Sequence, residues 1–194
     1  MPPIRLWTIQ SPEVLDLLQQ GGTYRCDISK CRLSQKYNLE LSYGWMSKKM
    51  DDKGIYHPQG AQYPIFAWYT RDGRNIRPDL RRNGYADHGK RMVCIELLVD
   101  DDRTLISSPY GWELVLNGWW INPGTTSKEY EENFLRYMNC KDDEIREREA
   151  RESWDLIFDI GKGCPLELQG KDLQATLWEI RPEDVRGVVG FTAR

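Results

Sequence analysis

The order of apolar and polar positions marks out most of the elements of this chain. Over residues 4–9, Ile4, Leu6 and Thr8 fall on one side and Trp7 and Ile9 on the other, the two-residue period of a strand. The period then lengthens. Val14, Leu15, Leu17 and Leu18 form one helical stripe, opened by Ser11-Pro12-Glu13 as cap, first turn and acidic start, and closed by Gly21-Gly22. A second helix is predicted over about 36–52, because Leu39, Tyr43, Met46 and Met50 recur at helical spacing. Residues 53–62 read as loop, 63–69 as a strand with Pro64 near its start, and Asp72-Gly73 as a turn.

Residues 92–99 are almost continuously apolar, as a central strand is, with Glu96 as the one interruption. After Asp100-Asp-Asp102 a short strand over 104–107 leads to a helix capped by Ser108, whose buried face is Trp112, Val115, Leu116 and Trp119. Thr126 and Glu129 have capping-box spacing at the head of a helix bearing Tyr130, Phe134 and Met138. The charged stretch 141–153 reads as a solvated helix whose continuation buries Trp154, Ile157 and Phe158 before Gly161. The chain closes with a strand over 173–180, a turn at 182–184 and a strand over 185–191.

Strands that run in sequence, interspersed with helices, predict an α+β fold. The 194 residues fit one domain, 1–194, with no repeat or linker. Eight Trp and ten Tyr carry large apolar areas and supply either a core or an aromatic-lined pocket. A net charge of -3 argues against nucleic-acid binding. No apolar run approaches the roughly 20 residues of a membrane span, and no export signal opens the chain, so a cytoplasmic setting without membrane contact is expected. Five cysteines without CxxC spacing and two histidines make a poor metal set, so reduced thiols and no metal are expected.

The common catalytic signatures GxGxxG, P-loop, HExxH and GxSxG are absent. His57, before Pro58, reads as a surface loop residue. The densest polar cluster is Arg77-Pro-Asp-Leu-Arg-Arg82, which is either a turn of self-pairing charges or an anion clamp in which Asp79 orients an arginine fork. Thr8 and Gln10, at the end of the first strand beside a helix start, suit the same chemistry.

Leu6-Trp-Thr-Ile-Gln10, Tyr43-Gly-Trp-Met46, Tyr63-Pro-Ile-Phe-Ala-Trp-Tyr69, Arg77-Pro-Asp-Leu-Arg81, Leu105-Ile-Ser-Ser108 with Trp112 and Leu116-Asn117, and Gln174-Ala-Thr-Leu-Trp178 together resemble an uncharacterised bacterial family, domain of unknown function 3841. That likeness spans nearly the whole chain and implies no particular activity. More faintly, the opening strand, the polar residue after it, the helix ending in Gly, the middle strand pair and the final Leu-Trp-Glu-Ile-Arg-Pro-Glu-Asp-Val-Arg-Gly-Val-Val run are similar in layout to ADP-ribosyltransferase-like folds. There a bent or split, mostly antiparallel sheet flanked by helices holds NAD. The resemblance puts Thr8 or Gln10 near the cofactor-gripping position of the first strand and Gln174 near the late-strand position. Joined with the Arg77–Arg82 cluster, this gives Gln174, Arg77 and Asp79 as candidate catalytic residues and Thr8, Gln10, Arg81 and Trp68 as candidate cofactor contacts. Gln174 stands where those proteins carry Glu; an amide hydrogen-bonds a ribose hydroxyl but is no base. NAD, a small-molecule nucleotide, is thus one expected ligand. The other expectation is a protein partner bound through Trp119 and Trp120, neighbours that diverge by about 100 degrees on a helix.

Overall fold

β1 (Ile4–Gln10) lies inside an open six-stranded sheet. The computed structural model describes residues 2–31 and 39–194. After β1 come α1 (Pro12–Gln19), β2 (Tyr24–Arg25), α2 (Leu39–Asp52), β3 (Ile65–Thr70), β4 (Arg91–Val99), β5 (Leu105–Ser107), α3 (Pro109–Leu116), α4 (Ser127–Asn139), α5 (Asp143–Ser153), β6 (Leu173–Leu177), β7 (Glu179–Ile180) and β8 (Val185–Thr192). The fold is α+β. The main sheet runs β5-β6-β3-β1-β4-β8, and β2 and β7 form a separate two-stranded sheet. The 36–38 portion of the expected second helix lies outside the described residues. Two compact units make up the chain: residues 1–106 with 174–194, and residues 107–173.

In the first unit β1 is antiparallel to both neighbours, with Trp7 opposite Trp68 on one side and Glu96 on the other. Leu6 faces Leu97 and Thr8 faces Ile95, so the alternation read from the chain sets the two faces. One face carries Leu6, Ile65, Ala67, Ile95, Leu97, Ala175 and Leu177 and is packed by Val14 and Leu18 of α1. Beside the sheet, Met50 of α2 joins Ala61 and Trp178 in a second buried cluster, and Tyr43 meets Phe66 edge to face at 5.3 Å.

The start of α1 differs from expectation in one respect. Ser11 is extended and gives no side-chain cap; its hydroxyl instead bonds the Glu13 carboxylate and holds it below the usual range. The end follows the glycines. Gly21 sits at φ +83°, Gly21 N–H bonds Leu18 O and Gly22 N–H bonds Leu17 O, the paired bonds of a Schellman close. The single strand expected over 173–180 is two strands in two sheets: Trp178 leaves the ladder to pack on Met50, and the chain resumes as β7 against β2.

In the second unit α3 begins at Ser108, whose Oγ accepts from Gly111 N–H. It ends before the tryptophans. Gly118 at φ +70° and the bonds Gly118 N–H to Val115 O and Trp119 N–H to Leu114 O close it, so Trp119 is not part of the helical face that periodicity assigned to it. The capping box at Thr126 and Glu129 is present. α5 is the solvated helix expected; Trp154 and Ile157 beyond it are buried and Phe158 half-buried, in a 3-10 turn rather than more α-helix. Asn122, 1% exposed, donates to Tyr130 O at 2.8 Å and accepts from Gly124 N–H at 2.9 Å. Trp154 Nε1 donates to Trp119 O at 2.9 Å.

Candidate functional site

The step from β6 to β7 gathers the densest buried charge of the first unit. In β7, Glu179 points inward, 6% exposed, while the apolar residues beside it hold the strand in place. Its Oε2 accepts from Arg25 Nε and Nη2 at 3.1 and 2.8 Å, and its Oε1 accepts from Arg181 Nε at 2.8 Å. Arg25 is placed for this because β2 and β7 put it directly opposite Glu179. Asp184, in the turn after β7, accepts Arg103 Nη1 and Nη2 at 2.6 and 3.0 Å and the Arg181 backbone N–H at 2.8 Å.

A shallow cleft with a cavity volume of only about 20 Å³ opens beside this network, lined by Tyr56, Pro58, Arg103, Leu177, Trp178, Glu179 and Arg181. The loop carrying Tyr56 and Pro58 is fixed by the residue between them. His57 stacks on Trp178 with ring centroids 3.9 Å apart, donates from Nε2 to Ala61 O at 2.8 Å, and sets Nδ1 3.0 Å from Asp51 Oδ1. It is therefore an anchoring residue as well as a loop residue. Tyr56 is 73% exposed.

Hydrogen-bond supply around the cleft is lopsided. Both Glu179 oxygens and both Asp184 oxygens are occupied. Arg181 uses only Nε and Arg103 only its two Nη groups in side-chain bonds among the described residues. Trp178 Nε1 is buried and has no hydrogen-bond partner among the described residues. A guanidinium has five N–H donors, so the walls offer spare donors and engaged acceptors. Such a wall suits a ligand rich in acceptor oxygens, phosphate or carboxylate above all.

The residues nominated from sequence lie elsewhere, and none lines this cleft. Thr8 Oγ1 donates to Phe66 O at 3.1 Å and accepts from Gln10 Nε2 at 2.7 Å, so those two meet. Asp79 and Arg81 meet also: Arg81 Nε and Nη2 bond the two carboxylate oxygens at 2.8 and 3.0 Å on an exposed turn, pulling Asp79 down to about 2. Arg77 is exposed, and its charge partly offsets the burial that pushes the Cys94 thiol up to about 11. Trp68 is half-buried opposite Trp7, with the Arg71 guanidinium 4.6 Å from its ring centre. Gln174 is 6% exposed and adjoins Ala175, so it projects from the face opposite to Thr8. The structure thus forms two pairs, Thr8 with Gln10 and Asp79 with Arg81, and sets Gln174 across the sheet from the first.

Glu179, Arg181, Asp184, Arg103 and Arg25 were not singled out from sequence. One signal was present: Glu179 sits between Trp178 and Ile180 in a strand, a charge among apolar neighbours. Among the described residues no three His, Cys, Asp or Glu side chains gather as a metal ion needs, and no helix is long and apolar enough to cross a membrane.

Residues 5–186 match the family model described as Domain of unknown function (DUF3841), and the chain belongs to that family. No curated protein and no solved structure matches it.

Proposed function

We propose that this member of the DUF3841 family binds a nucleotide, with NAD the first ligand to consider, through the Trp178 cleft. The surplus of donors at Arg181 and Arg103 carries the reading, because a pyrophosphate supplies the missing acceptors. Exposed Tyr56 at the cleft edge offers a ring on which a base stacks. The cleft volume of about 20 Å³ is far below the usual 300–1,000 Å³ of ligand pockets, so a phosphate oxygen reaches into it while the rest of the nucleotide lies over its rim. The ADP-ribosyltransferase-like layout supports the choice of NAD. Calorimetric titration with NAD, ADP, adenosine and inorganic phosphate tests this. NAD and ADP bind and adenosine does not; equal binding of adenosine, or no binding at all, overturns the reading.

A second reading rests on the second unit. Trp119 is 58% exposed, and α4 buries none of its residues while Phe134, Leu135 and Met138 lie open. Apolar side chains grouped this way suit a protein partner. A photo-crosslinking residue at position 119 captures that partner in cells if the surface is used, and yields only background if it is not.

A further inference from the structure

We propose that Cys26 and Cys31 form a reversible redox pair that a peroxide closes to an intramolecular disulfide. Their Sγ atoms lie 4.0 Å apart, and both side chains are half-buried. The chain between them turns back on itself in a 3-10 turn over Ile28–Lys30. Asp27 holds that turn: its Oδ1 accepts from Ser29 N–H at 3.1 Å and Ser29 Oγ–H at 2.6 Å, and its carbonyl accepts from Lys30 N–H at 3.0 Å. Cys31 N–H then bonds Ile28 O at 3.1 Å, which brings the second thiol back over the first. A disulfide needs the sulfurs at about 2.05 Å, so the pair closes by an approach of roughly 2 Å, shared between two side-chain rotations. Cys94, Cys140 and Cys164 are free as well, and Cys94 and Cys164 are buried.

The environment divides the roles. Hydrogen bonds from Cys26 and, more weakly, Tyr43 bring the Cys31 thiol down to about 7, while the bond to Cys31 and burial push Cys26 up. Cys31 is therefore the nucleophile and Cys26 the resolving thiol. The Cys31 thiolate attacks one peroxide oxygen, the O–O bond breaks, and hydroxide leaves and takes up a proton as water. The sulfenic acid on Cys31 then meets the Cys26 thiol. The S–S bond forms, the S–O bond breaks, and the hydroxyl departs with the Cys26 proton as a second water. Two thiols have lost two protons and two electrons, and one peroxide has become two waters.

The test uses the full chain, reduced and then exposed to hydrogen peroxide, denatured, and labelled with a maleimide. The oxidised protein takes up two labels fewer than the reduced one, runs as a monomer, and recovers both on treatment with a dithiol. Cys31→Ser abolishes the loss, Cys140→Ser leaves it unchanged, and Cys26→Ser accumulates a sulfenic acid that dimedone traps on Cys31. Unchanged label uptake in the native chain overturns the proposal, and so does a loss of the same size in Cys31→Ser.

Discussion

Arg103 and Asp184, 81 residues apart in the chain, meet through two parallel hydrogen bonds of 2.6 and 3.0 Å with side chains only 19% and 4% exposed. The pair joins the turn after β4 to the turn after β7, and Asp184 also accepts the Arg181 N–H. A single carboxylate thus ties two distant segments together and sets the backbone from which Arg181 reaches its cleft.

Asp184→Ala leaves Arg103 charged and largely buried without its partner. We expect a loss of about 3–5 kcal/mol, the usual cost of breaking a buried pair. Arg136 and Glu149 are bonded at 2.8 Å but stand 55% and 25% exposed, and Glu149→Ala costs about 0–1 kcal/mol. Urea unfolding of the two variants measures the contrast; equal losses contradict it.

Asn122→Ala strips partners from Tyr130 O and Gly124 N–H in the second unit. Tyr130 O keeps its bond within α4, so one buried N–H is left unpaired, at roughly 1–3 kcal/mol. Gly124→Ala is expected to be disruptive too, since a Cβ there would stand 2.5 Å from Tyr130 N. Thermal unfolding of both variants reads the effect, and a native melting temperature for either contradicts it.

Glu167 gives a pH signature. Burial raises its carboxyl, outweighing bonds from Asn122 N–H and Tyr130 O–H that pull the other way. The folded state then holds a proton that the unfolded chain has released, so stability is full below the ordinary carboxylate value and falls as pH rises through the raised one. Glu167→Gln removes that part of the slope. Melting temperatures from pH 4 to pH 7, the range about a glutamate's ordinary value, show a flatter profile for the variant; parallel profiles contradict the assignment.

Cys31 alkylation follows its thiolate fraction. With its thiol at about 7, the rate with iodoacetamide rises to half its maximum near that pH, well below an ordinary cysteine at about 8.5. Cys26→Ala removes the largest cause and moves the midpoint upward. A midpoint unchanged by that substitution contradicts the role given to Cys26.

How far the sequence alone reaches is clear from particular residues. Gly21-Gly22, the box at Thr126 and Glu129, and the alternation from Ile4 to Gln10 act through neighbours within a turn or a strand, and all three are found in the fold. The end of α3 was missed because apolar spacing runs on to Trp119 while Gly118 turns the backbone away. β2 is two residues long and exists only because β7 pairs with it, so no local pattern marks it. The charged network was hidden for the same reason. Arg25 and Glu179 are 154 residues apart, and nothing in either neighbourhood names the other. Arg77–Arg82 drew attention by its local density of charge, and in that turn Arg81 folds back on Asp79.

The melting temperature of the purified protein in a titration with NAD tests the central claim most directly. A ligand at about one hundred times its dissociation constant stabilises by about 2.7 kcal/mol, a shift that a thermal scan resolves. The cleft reading predicts that shift for the native chain and for Arg81→Ala, and its loss in Arg181→Ala and Tyr56→Ala. No shift at millimolar NAD, or a full shift in Arg181→Ala, would contradict it.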